Sequence, residues 1–262
     1  MRRIQLFEFE DQRWLPWWVR EEITDHLARV FTSSTVEPLH RAMADRLAGP
    51  MERTGTSHLV DLCSGAGGPL PAVLPLLGTA LGRTVTATFT DLYPHRHPPD
   101  AIGGETAGMT IERHPVDARS MPPELDGMRS VFNAIHHFTP DDVADVLRGA
   151  TRGGRSIAIF EPFERRAGLA ATVALGGLLA GWRNARAARG PARRVAALHA
   201  ILPVVLGWDA AVSVLRGYRA DELLEIAQRC GADDRITWSA ERMQMPWGHL
   251  TVLVGDASAV SP

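Results

Sequence analysis

The chain of 262 residues contains no lysine; all 28 of its basic residues are arginine. Together with 24 glycines, 18 prolines and abundant alanine, this fits a GC-rich bacterial genome. Cysteine is nearly missing as well. Cys63 and Cys230 stand far apart, which excludes a disulfide framework and a zinc site of closely spaced thiolates. A dominant charge of one sign is also lacking. A net charge of −2 leaves no global field to favour nucleic acid or an anionic membrane. Charged residues make up 22% and apolar residues 45%, a balance that excludes wholesale disorder. The opening "MRRIQLFEFEDQRW" turns acidic early and has no apolar core, so it predicts no signal peptide and a cytoplasmic location. The length suits one α/β domain with additions, or at most two small domains.

What is present falls into three textures. Residues 1–56 read as a helical N-terminal cap. Ile23, Leu27, Val30 and Phe31, then Leu39, Met43 and Leu47, recur at the spacings of amphipathic helices. Trp14, Trp17 and Trp18 precede the first helix and either pack in a core or line a pocket. Residues 57–161 and 217–256 alternate short apolar strands with helices. This predicts a doubly wound, mostly parallel α/β sheet of seven strands whose last strand is antiparallel. "TPDDVADVLRGATRGG" carries the clearest boundaries, with Thr139 as N-cap, Pro140 at the first helical position and Gly153-Gly154 at the end. Residues 162–216 break the rhythm with two apolar runs around the basic "RNARAARGPARR".

The chemistry concentrates at predicted strand ends. "VDLCSGAGG" (60–68) is a strand running into a Gly-rich turn that opens a helix, an arrangement that brings backbone N–H groups against a ligand. A nicotinamide dinucleotide fingerprint would need a third glycine where Leu70 stands. Asp61, Asp91, Asp117, Asn133 and Glu161 all fall at strand ends, where capping and turn roles compete with a ligand role. The order of these segments resembles the class I S-adenosylmethionine-dependent methyltransferases of small-molecule, secondary-metabolite type. Asp61, Gly65 and Gly67 match that family's first motif, with Cys63 in place of its first glycine. The resemblance implies S-adenosylmethionine as cofactor and S-adenosylhomocysteine as product. It further implies that Asp91, with Leu92 beside it, meets the ribose hydroxyls. Asp117 and Ala118 would meet the adenine, and Asn133 would close the fourth-strand tip against the cofactor.

"NAIHHF" places His136 and His137 at that tip, between cofactor and acceptor. A proton-transferring base, pocket lining and pure structure are all open for them. His137 is favoured as the one facing inward, with a pKa near neutrality. Zinc is not expected, because no further ligand lies at useful spacing, and no acidic cluster suits magnesium. The tip lacks the aromatic clamp of enzymes that methylate nucleobases, so no nucleic-acid partner is expected.

The acceptor is expected to be a small, fairly apolar molecule attacked through oxygen, then nitrogen or carbon. Three readings compete for the insert at 162–216: a helical lid over the acceptor, which is favoured, a homodimer interface, and a membrane-surface hairpin with its arginines at the headgroups, which is not favoured. On a helix, Asp209, Ser213 and Arg216 share one face and Trp208, Val212 and Leu215 another. This marks Trp208, Asp209 and Tyr218, with Trp14, as acceptor-contacting residues, and Glu161 as an alternative base. A membrane-associated lipid or quinone methyltransferase, and a non-catalytic cofactor-binding scaffold, are the alternatives in function.

Overall fold

A computed structural model describes residues 2–96, 108–188, 191–246 and 248–257; Met1, Arg189 and Gly190 of the motifs above lie outside these. Five parallel strands form first: β1 (His58–Leu62), β2 (Thr86–Thr90), β3 (Met109–Ile111), β4 (Met128–Phe132) and β5 (Ile157–Glu161). A terminal hairpin follows, β6 (Ile236–Met245) and β7 (Gly248–Ala257). The sheet order is β3-β2-β1-β4-β5-β7-β6, with β7 antiparallel to both its neighbours. The expected seven-stranded sheet is therefore present. Its strand order reverses between β1 and β4, and such a reversal opens a crevice at the strands' carboxyl ends.

The apolar strands are buried on both faces because helices cover both. On one face, Leu59, Phe89, Ala158 and Phe160 meet α2 (Glu37–Thr54) and α3 (Leu70–Leu81), which contribute Leu39, Met43, Leu47, Leu70 and Leu77. On the other, Val60, Leu62, Val131, Ile157 and Ile159 meet α4 (Pro140–Ala150) and α7 (Ala220–Arg229). The period of two along β1 and β5 sorts neighbouring residues to opposite faces. Thr139 caps α4, accepting from the Asp142 N–H, as its sequence predicts. One boundary moves. Helix α2, grouped with the cap in the sequence, belongs to the main core through Leu39, Met43, Leu47 and Met51.

The remaining helices build a smaller cluster beside the sheet. Leu15 and α1 (Trp17–Phe31), through Val19 and Ile23, pack against Ala185 of α5 (Ala167–Ala187) and against Leu198, Leu202, Val205 and Leu206 of α6 (Ala192–Arg216). Within the α5–α6 hairpin the helices touch backbone to backbone. A Cβ at Gly177 or Gly181 would collide with the main chain of Leu206 or Pro203.

Candidate active site

A cleft of about 870 Å³ opens at the carboxyl ends of β1, β2 and β4, where the strand order reverses. Its floor is the turn after β1. Cys63 and Gly65 both have positive φ there, 57° and 51°. Gly65 is required twice over: its φ is left-handed, and a Cβ would press on Thr24 of α1 at 3.1 Å. Ser64 ties the turn to β2 by donating from its N–H and its hydroxyl to the Thr90 carbonyl, at 3.0 and 2.9 Å. Asp91 completes the link, accepting from the N–H groups of Gly65 (2.8 Å) and Tyr93 (2.7 Å).

Of the residues expected to meet the cofactor, Cys63, Gly65, Asp91, Leu92 and Asn133 line this cleft. Asn133 has φ 52°, and its Oδ1 is buried with no hydrogen-bond partner. Four others stand back. Asp61 is buried beneath the floor, accepts from the Ser130 hydroxyl at 2.7 Å, and has its pKa pushed up by burial; it links β1 to β4. Gly67 shapes the turn without lining the cleft. Asp117 caps a short helical turn and is paired with the Arg119 guanidinium, which holds its carboxyl below the usual range; Ala118 is buried behind it. Asp117 thus caps the turn and does not line the cleft, whereas Arg119 does.

Burial pushes the Cys63 thiol well up, reinforced by Asp91, Asp61 and Asp117. Burial also raises Cys230. Since the thiolate is the reactive form, both cysteines are expected to resist a thiol reagent at pH 8 until denaturant is added. Rapid labelling of the folded chain would contradict this placement.

The two histidines part company. Both sit on a short helical turn, with rings 4.4 Å apart and tilted by 31°, so they lie against each other rather than pointing opposite ways. His136 is buried. Its Nδ1 meets Glu161 Oε2 at 2.9 Å, and Glu161 Oε1 also accepts from the Ile135 N–H at 2.8 Å. Glu161 is thereby a fully buried clamp on the turn and does not face the cleft. His137 does face the cleft, and its Nδ1 lies 2.7 Å from Asp11 Oδ1. Burial alone would lower its pKa, but Glu8, Asp11 and Glu10 outweigh burial and push it up to about 10. The expected pKa near neutrality is corrected accordingly: three carboxylates surround this imidazole.

Those carboxylates come from residues 2–16, read in the sequence as part of a helical cap but irregular in the structure, because the segment is held by long-range polar contacts and not by its own helical bonds. The segment is strapped across the turn. Arg3 donates to the carbonyls of His136 (2.9 Å) and Phe138 (2.8 Å) and lies over the Tyr218 ring. The polar face of α6 holds the other end. Asp209 accepts from the N–H groups of Phe9 (2.8 Å) and Glu10 (3.2 Å), and Ser213 donates to Glu8 at 3.2 Å. Arg216 reaches Asp11 at 2.7 Å and Glu8 at 3.0 Å, and donates to the His137 carbonyl at 2.7 Å. Asp209 and Tyr218 therefore anchor this strap and, contrary to expectation, do not line the cleft. Burial raises Asp209 to about 8 and Tyr218 to about 12. Trp208 is exposed against Phe7, Trp14 is exposed, and neither lines the cleft, whereas Trp17 does. No residue of α5 or α6 lines it; its roof is the strap and α1, not the insert expected as a lid.

The strap also supplies a third potential metal ligand. Donor atoms of Glu8, His136 and His137 lie within 4.8 Å of one another, a grouping that sequence spacing could not reveal. The Arg216 guanidinium already supplies a cation to Glu8 and Asp11 there.

No protein-family model matches the sequence, and no curated protein matches it. Solved structures do. An O-methyltransferase family protein from Burkholderia thailandensis is 16% identical, with a TM-score of 0.52 over 92% of this chain and 60% of its own. Human N-acetylserotonin methyltransferase, solved in complex with S-adenosylmethionine, is 10% identical, with a TM-score of 0.50 over 93% of this chain and 57% of its own. The fold is that of the class I S-adenosylmethionine-dependent methyltransferases, and the chain spans about three fifths of the length of these two proteins.

Proposed function

We propose that this chain transfers a methyl group from S-adenosylmethionine to a small, fairly apolar acceptor, oxygen being favoured over nitrogen or carbon as the acceptor atom. A bacterial secondary metabolite fits this description. The observation that carries the reading is the convergence in one cleft of the Gly-rich turn, Asp91 and the Asp11–His137 pair.

The residues fit the cofactor. Each Asp91 oxygen accepts one backbone N–H and keeps lone pairs for the two hydroxyls of a ribose. Asn133 Oδ1 is a buried acceptor without a donor, which a ligand N–H would satisfy. S-adenosylmethionine, when bound, supplies a methyl group on a sulfonium, open to in-line displacement. Leu15, Leu27, Phe31, Phe132 and Phe138 give the cleft an apolar wall that excludes water and orients a flat acceptor. His137, whose Nδ1 is engaged by Asp11, would take the acceptor's proton on Nε2. Asp11 on Nδ1 would hold the ring in that orientation and stabilise the imidazolium that forms.

Calorimetry with S-adenosylhomocysteine tests the reading, and no binding at high micromolar concentration would remove it. Asp91→Ala is expected to weaken that binding by about 1.5–3 kcal/mol, the range for hydrogen bonds to a charged group. Unchanged affinity would take Asp91 out of the site. Mass spectrometry of an extract incubated with isotope-labelled S-adenosylmethionine would then identify the acceptor.

A further inference from the structure

We propose that the α5–α6 hairpin docks this protein on an anionic lipid surface. The proposal stands on the hairpin alone and is independent of the chemistry assigned to the cleft.

The first observation is apolar exposure without a partner. Leu175, Leu179 and Trp182 follow one stripe of α5 and are 59%, 62% and 51% exposed. Ile201, Val204 and Trp208 follow a stripe of α6 and are exposed too, and Trp208 continues onto exposed Phe7 of the strap. Exposed apolar surface of this extent marks an interaction site. Helix α6 is 25 residues long and apolar enough to cross a bilayer, yet only 39% of its most apolar window is buried. It is not free to cross one, since its other side is held by α1 and its last turns by the strap. A helix held in this way can meet a bilayer only along its exposed apolar stripe, lying on the surface and not across it.

The second observation is charge. Between Arg165 and Trp208 the sequence has seven arginines and no acidic residue, in a chain whose net charge is −2. Arg165 and Arg194 lean back on Glu222 and Glu22. Arg183, Arg186 and Arg193 are exposed near the hairpin's tip, with no carboxylate partner among the described residues. Arg186 lies over the Trp182 ring at 4.0 Å, so an aromatic and a cation share one spot, as they do at the headgroup level of a bilayer. This charge chooses the occupant. A twofold partner would bring the same acid-free face and set arginine against arginine, whereas an anionic headgroup layer complements it.

Flotation with vesicles tests this on the full chain. The expected result is co-flotation with mixed phosphatidylcholine and phosphatidylglycerol, weakened by salt, and none with phosphatidylcholine alone. Arg183→Gln with Arg186→Gln should lower partitioning about 30-fold, since each basic residue near the surface contributes about fivefold. Leu179→Ser with Trp182→Ser should abolish it. These side chains are exposed, so an unchanged melting midpoint certifies the fold of each variant. Absent binding, or equal binding to neutral vesicles, overturns the proposal. So does a wild-type dimer that Leu179→Ser with Trp182→Ser converts to monomer while vesicles capture nothing, which assigns the face to a second copy.

Discussion

His137→Ala is expected to lower kcat on the identified acceptor by on the order of 10²–10⁴-fold, the usual worth of a positioned base, with little change in S-adenosylhomocysteine affinity. A loss confined to KM would instead make His137 a positioning group. The pH profile separates the two more sharply. With a pKa of about 10, the imidazole is almost entirely protonated at neutral pH, and a protonated ring cannot accept the acceptor's proton. Wild-type kcat should therefore climb about tenfold per pH unit towards pH 10, as the neutral fraction grows. Asp11→Asn removes one of the anions that raise this pKa, so the rising limb should move to lower pH while its plateau drops through lost orientation. A flat profile from pH 6 to 9 would exclude proton transfer through His137.

Arg216→Ala should destabilise the fold by about 3–5 kcal/mol, the cost of stripping the partner from buried charges. Arg216 and Glu8 are both almost fully buried, and the same guanidinium serves Asp11 and the His137 carbonyl. Arg216→Lys should lose less, keeping the charge but not the forked geometry. Denaturant unfolding reads both. Alkali should loosen the wild-type strap in the same direction. His137 has a folded pKa of about 10, above its ordinary 6.5, so its stabilisation is complete below about pH 6.5 and is lost as pH rises through 10. Burial raises Glu10 and Asp209 to about 7 and 8. Folding favours their protonated forms, and stability falls as pH rises through those values. Limited tryptic cleavage after Arg13 should accelerate from pH 7 to pH 9 beyond the protease's own dependence. Arg216→Ala should be cleaved readily at pH 7.

What could be read in the sequence was what local pattern encodes. "HLVDLCSGAGG" has an apolar run, a glycine turn and an apolar helix in consecutive order, so β1, the cleft floor and α3 follow from spacing alone. Thr139-Pro140 fixed the start of α4 for the same reason. The strap could not be seen in that way. "FEFEDQRW" alternates apolar and acidic residues for only four positions, too few to predict an element, and its partners Asp209, Ser213 and Arg216 lie about two hundred residues away. Their shared helical face is visible in the sequence; the strap that lies opposite is not, and a polar row on an apolar helix looks the same whether it anchors a segment or walls a pocket. Asp117 shows the reverse difficulty. A short acid after a strand serves a turn as well as a ligand, and only the nearby Arg119 guanidinium separates the two. The insert's role was not legible, because apolar composition records that a surface is covered or coverable without recording by what.

The glycine contacts inside the hairpin have a mechanical consequence. With Gly177 and Gly181 seated directly on the α6 main chain, the two helices meet there with no side chain between them. They form one plank. That plank is bolted to the roof of the cleft through Asp209 to Phe9 and Glu10, and through Arg216 to Asp11. Any load that tilts its outer face is therefore levered, with α6 as the arm, onto the carboxylate that sets the orientation of His137.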